Sequence, residues 1–158
     1  MTQVEELPFK DIRAHIIEKA MELVSNRVRF RPYGRFPYEP KRIRGLDCIG
    51  VLIWVGQEVG LLGEIAPYKP YAFPPSSESF DEILPYVESR NEPAEGRIVI
   101  LGRRDGTLVH CGLLHAASDG SWAIIGISPT HTRPYVTMYP IADCGDLPRQ
   151  YYDYRGIN

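Results

Sequence analysis

The chain of 158 residues lacks most of the features that announce a function at a glance. Its three cysteines, Cys48, Cys111 and Cys144, are an odd number without paired metal-ligand spacing. That excludes a disulfide framework and a zinc site and leaves free thiols as the default; no metal and no cofactor is expected. Positive charge is not in excess, with 18 Lys and Arg against 20 Asp and Glu and a net charge of −2. Apart from a modest cluster at Lys41, Arg42 and Arg44 the basic residues are scattered, so no nucleic-acid partner is expected. The longest apolar run, Cys48 to Val55 with only Gly50 inside it, is too short to span a bilayer. The start, Met1-Thr-Gln-Val-Glu-Glu-Leu-Pro8, has neither the basic opening nor the apolar core of a signal peptide, and the chain is expected to be made in the cytoplasm without one. There is no internal repeat, no low-complexity tract and no composition shift that would mark a second domain; residues 1–158 read as one.

What is present is a folded-protein composition, 44% hydrophobic and 24% charged, in a chain long enough to bury a core without staples. Ile12, Ile16, Ile17, Ala20, Met21, Leu23 and Val24 predict an amphipathic helix from about Phe9 to Asn26. The segment Val28 to Lys41, rich in proline, arginine and aromatic residues, cannot be a regular helix and predicts an ordered loop leading to Cys48. A second, largely buried helix begins at Cys48 and stops at Gly60. Leu61 to Ser77 reads as a surface excursion, and Ser79 to Ser89 as a short amphipathic segment interrupted by Pro85. After Pro93 the period becomes alternating. Strands are expected at Arg97–Leu101, Leu108–Ala116, Ser121–Ser128 and Pro134–Ile141, with turns at Arg104–Gly106, Ser118–Gly120 and Pro129–Thr132. The tail Gln150–Arg155 is expected to return to the surface. Helices followed by strands predict an α+β fold, with an antiparallel sheet of about four to six strands packed against the cysteine helix.

The chemistry centres on Arg44-Gly-Leu-Asp-Cys-Ile-Gly-Val-Leu-Ile-Trp-Val55. Asp47 is suited to cap the helix by accepting its free N–H groups, which puts Cys48 in the first turn. Backbone N–H groups and the positive end of the helix dipole favour an anion there and lower a thiol pKa from about 8.5. A thiol nucleophile needs a base, and histidine is the usual one near neutral pH. Of the four histidines, His15 lies on the first helix and is set aside, while His110 interrupts an otherwise apolar strand. Residues two apart share a strand face, so His110, Gly112 and Leu114 point one way and Cys111, Leu113 and His115 the other. Cys111 is thereby read as a core or surface thiol, and Cys144 as exposed loop.

Gly45-Leu-Asp-Cys-Ile-Gly-Val-Leu-Ile-Trp-Val, then Glu95-Gly-Arg-Ile-Val-Ile-Leu, then Val109-His-Cys-Gly-Leu-Leu, resembles the NlpC-type cell-wall cysteine peptidases, most of all those of bacteriophage tails and gene transfer agents. The family has an Asp-Cys-x-Gly-Leu motif opening a helix, then a Pro-Gly-Asp-Leu-Val-type strand and a His-x-Gly-Ile strand. The likeness covers most of residues 10 to 140. It implies a papain-like α+β fold, Cys48 as nucleophile, His110 as base, and Asp47 as a candidate for recognising a substrate amine besides capping. It also implies an aromatic hydroxyl in the loop before the cysteine, Tyr33 or alternatively Tyr38. The family's third polar residue, in the strand after the base, falls here near Ile124 to Gly126, where no polar group stands; His131 or Ser128 is the substitute. Arg97 stands where aspartate is common and is read as structural.

The implied activity is hydrolysis of a peptide bond in peptidoglycan, the D-glutamyl–diaminopimelyl linkage or a stem cross-bridge. The expected partners are peptidoglycan stem peptides and phage tail or baseplate proteins, with location on a virion tail or tail-like particle. The alternative is a structural tail-tip module that keeps the fold with weak or lost activity, or an acyltransferase or amidase on the same scaffold.

Overall fold

The apolar spacing of the first segment closes into α1 (Ile12–Ser25), which buries Ile16, Ile17, Ala20 and Leu23, in a computed structural model that describes residues 12–32, 34–39, 41, 44–63, 83–102, 108–128 and 134–157. Its C-terminus is sealed by bonds from Arg27 N–H to the Val24 carbonyl (3.1 Å) and from Val28 N–H to the Leu23 carbonyl (3.1 Å). Arg27 takes the left-handed conformation (φ 49°) that this kind of seal requires and glycine normally supplies. The second helix, α2 (Cys48–Glu58), buries residues on nearly every side and ends where Gly60, at φ 79°, bonds back to Gln57. No helix among the described residues is long and apolar enough to cross a membrane.

Before α2 lie two short strands, β1 (Arg35–Phe36) and β2 (Gly45–Leu46), paired antiparallel. After it come β3 (Val87–Arg90), β4 (Ile98–Gly102), β5 (Leu108–Ala116), β6 (Trp122–Ile127), β7 (Val136–Pro140) and β8 (Arg149–Tyr154). These form one antiparallel sheet in the order β3-β8-β4-β5-β6-β7. The architecture is therefore α+β, as the pattern of helices followed by strands predicts.

The sheet has two covered faces. Ile98, Ile100, Cys111, Leu113, Ile125 and Ile127 pack with α1 and α2, whereas Val99, Leu101, Leu114, Ile124 and Tyr139 pack with Cys144 and Ile141 from a 3-10 turn at Ile141–Cys144. Strands buried on both sides read as continuous apolar runs, which is what β4 and β6 show.

Three expectations are corrected. Residues 84–89 form no α-helix: Pro85 sits in the first turn of a short 3-10 helix (Leu84–Tyr86), and the chain then extends into β3, which pairs with β8. Gln150–Arg155 does not return to the surface but largely forms β8, inserted between β3 and β4. Cys144 is buried rather than exposed, because the turn that carries it covers the second sheet face. The turns expected at Arg104–Gly106 and Pro129–Thr132 lie outside the described residues, as does most of Leu61 to Ser77.

β8 is pinned to the helices by two contacts. The Tyr154 hydroxyl donates to the Leu52 carbonyl of α2 at 2.7 Å, and its ring lies where a side chain on Gly56 would stand, 2.7 Å from a Cβ there. Asp153, buried, accepts both guanidinium nitrogens of Arg13 at 2.9 Å and single bonds of 3.1 Å from Arg90 and Arg97. Arg97 thus has a structural role.

Candidate active site

The start of α2 is built by its neighbours. Asp47, extended at φ −93° and ψ −176°, caps the helix by accepting the Gly50 N–H at 2.7 Å. The same carboxylate oxygen pairs with Arg35 at 2.9 Å, and that guanidinium also donates to the Gly34 carbonyl at 3.0 Å. The loop of β1 is thereby tied to the first turn of the helix. Gly50 is needed because the Gly34 carbonyl oxygen occupies the space its Cβ would take. The spacing Asp-Cys-x-Gly is thus a packing requirement: cap, thiol, and a bare backbone over which the preceding loop crosses.

Cys48 follows the cap and is 6% exposed. The Cys111 thiol lies beside it, reaching it from β5. Burial pushes the Cys111 thiol well above its ordinary range; the contact with Cys48 and the nearby Asp47 push the same way, against Arg35. Cys111 is therefore a neutral S–H at physiological pH.

The strand parity expected for β5 is what the structure shows, with Cys111 and His110 on opposite faces of the sheet. Cys111 lies on the face covered by the helices. His110, 4% exposed, is paired in register with Leu101 and packs its ring against Tyr139 at 5.9 Å between centroids, on the other face. The structure thus sets Cys111 beside Cys48 and the His110 ring beside Tyr139. Burial raises the Tyr139 phenol far above its usual range. Burial also raises the Cys144 thiol, helped by Asp143 and opposed by Arg149 and the Tyr139 hydroxyl. Ser128, just past the end of β6, is buried.

Tyr33 and His131 lie outside the described residues. Tyr38 is exposed; its hydroxyl accepts from the Asn26 amide at 3.0 Å and its ring stands edge-on to Trp54 at 6.1 Å. His15 is half-buried on α1, and His115 pairs through Nδ1 with Glu95 at 3.0 Å. Among the described residues no three His, Cys, Asp or Glu side chains converge to hold a metal. Arg35 and Cys111 are the neighbours of the site that sequence reasoning did not single out. For Arg35 no local pattern distinguishes it from the other arginines of its loop.

No protein-family model, no curated protein and no solved structure matches the chain.

Proposed function

We propose that the chain is a cysteine hydrolase of papain-like architecture that cleaves a peptide bond of bacterial peptidoglycan as a component of a phage tail or tail-like particle. The observation that carries this reading is Cys48 in the first turn of a buried helix, behind an Asp47 cap held by Arg35 and packed on an antiparallel sheet. In the reaction the Cys48 sulfur attacks the substrate carbonyl, first-turn N–H groups stabilise the oxyanion, the C–N bond breaks as the amine leaves with the thiol's proton, and water hydrolyses the thioester to release the acid and restore the thiol. Each such donor is commonly worth about 2.7–4 kcal/mol. Asp47, already the cap, is the candidate to meet a substrate amine, and Tyr33 or Tyr38 is the candidate aromatic hydroxyl. The proton must pass to a base, and neutral Cys111 cannot take it. His110 is the base this reading assigns, taking the thiol proton and passing it to the leaving amine, with His131 as the candidate third residue that orients its ring.

The second reading is a structural tail-tip module on this fold, favoured by the placement of the His110 ring against Tyr139. Digestion of purified peptidoglycan by wild type, Cys48→Ala and His110→Ala, with fragments identified by mass, separates the two. The hydrolase reading expects cleavage by the wild type, none by Cys48→Ala, and a loss of at least about 10²-fold in His110→Ala, a typical share for a general base. Cleavage that persists in Cys48→Ala overturns it. Wild-type protein that cuts nothing but assembles into tail particles establishes the structural reading.

A further inference from the structure

A cavity of about 450 Å³ opens between the end of α1, the segment after it and the turn that follows β1. That volume falls within the range of about 300–1,000 Å³ typical of small-ligand sites. Arg27, Arg29 and Arg44 line it, with Tyr38, Tyr135 and a single acidic residue, Glu39. Arg13, Arg35, Arg90 and Arg97 all have carboxylate partners within 4.0 Å, whereas these three arginines have none among the described residues. The three arginines are exposed and line one concavity, where their like charges favour an anion.

The walls are held in place. Arg29 bridges to Tyr135, Val136 N–H bonds to the Val28 carbonyl at 2.8 Å, and Leu46 N–H bonds to the Arg29 carbonyl at 2.9 Å. Tyr38 is fixed by its bond from Asn26 and its contact with Trp54. Arg27 is the least expected member. It occupies the left-handed seal of α1, where glycine would be easier, and stacks its guanidinium over the Tyr135 ring at 5.9 Å. Strain accepted at a position that aims a cation into a cavity is the kind found at binding sites.

We propose that this cavity binds a short acidic peptide, with carboxylates on Arg27, Arg29 and Arg44 and an N–H or amino group of the same peptide on Glu39. The planar fork of each guanidinium matches a carboxylate with two bonds. Glu39 in the wall opposes a dense polyanion such as a phosphate polymer but accepts from a peptide that carries both signs. The cavity adjoins the start of α2: Arg44 leads into β2, Asp47 and Cys48, and the Tyr38 ring rests on Trp54 of α2.

The choice of probe, but not the cavity's chemistry, rests on the peptidoglycan reading. The probe is Ala-γ-D-Glu-diaminopimelate, titrated calorimetrically into the full chain carrying Cys48→Ala so that binding is read without turnover. Controls are the same peptide with its carboxylates amidated, the unrelated acidic peptide Ala-Glu-Glu-Lys, and inorganic phosphate. Expected are saturable binding of the stem peptide, no binding of its amidated form, and at least a tenfold loss in Arg29→Gln/Arg44→Gln. Arg27→Gly is expected to weaken binding several-fold while its thermal midpoint is no lower than that of the parent, which separates ligand contact from folding. Binding of Ala-Glu-Glu-Lys without the stem peptide supports the cavity and counts against the peptidoglycan reading. The proposal is overturned if neither acidic peptide binds, if the arginine variants bind as the parent does, or if phosphate binds as tightly as the peptides.

Discussion

At the scale of the residue, the start of α2 depends on a side chain that is absent. Gly50 lies under the Gly34 carbonyl and beside the Asp47 carboxylate, so Gly50→Ala must push the loop of β1 off the helix. A destabilisation of about 1–3 kcal/mol is expected, the usual cost of overpacking a tight site, seen as a lower midpoint in urea with an unchanged slope. Arg27→Gly should behave in the opposite way. It relieves a left-handed residue, worth about 1–2 kcal/mol, and gives up a cation–π contact worth about 0.5–1 kcal/mol at an exposed site. The thermal midpoint reads the balance. The cap at Asp47, the thiol in the first turn and the alternation of His110 with Cys111 are all legible in the sequence, because each is fixed by neighbours a few residues away. Which face of β5 the helices cover is not legible. The central strands are apolar on both faces, and hydrophobicity cannot then say which of His110 and Cys111 shares the face of the helices.

At the scale of the element, the attachment of α1 to the sheet is electrostatic as well as apolar. Asp153 on β8 gathers Arg13 from α1, Arg97 from the start of β4 and Arg90 from β3. Asp153→Ala leaves guanidiniums clustered around a vacated, buried position, and a loss of about 3–5 kcal/mol is expected, as for other buried pairs deprived of one partner. Chemical denaturation of the variant against wild type measures it. Tyr154→Phe, which removes only the bond to the Leu52 carbonyl, should cost about 0.5–1.5 kcal/mol by the same measurement. β8 escaped the sequence reading for a physical reason. Gln150-Tyr-Tyr-Asp-Tyr-Arg155 places an aspartate among aromatics, and only three arginines from distant parts of the chain make burial of that carboxylate tolerable.

At the scale of the whole molecule, the titrating groups bound the pH range of stability from both sides. Burial works to raise the Asp153 carboxyl, but hydrogen bonds and charge from Arg13 and Arg97 outweigh it and hold it below the usual range. The unfolded chain then takes up that proton first, so this contribution is complete above about pH 4 and fades as pH falls further. Cys111 and Cys144 are shifted upward, chiefly by burial, as are the Tyr139 and Tyr154 phenols. Their neutral forms favour the fold below about pH 8.5 for the thiols and about pH 10 for the phenols, and that stability is lost as pH rises beyond. A plateau of unfolding free energy between these limits is expected from denaturant titrations across pH, and Cys111→Ala should flatten its alkaline side. The order of strands has a consequence in time. Among the described strands β3 bonds only to β8, and Arg13 waits for Asp153, although β8 is made after every other strand described. Such long-range pairing makes for slow folding. The nascent chain must remain uncommitted, with β3 and one edge of β4 open, until residues 149–154 have emerged.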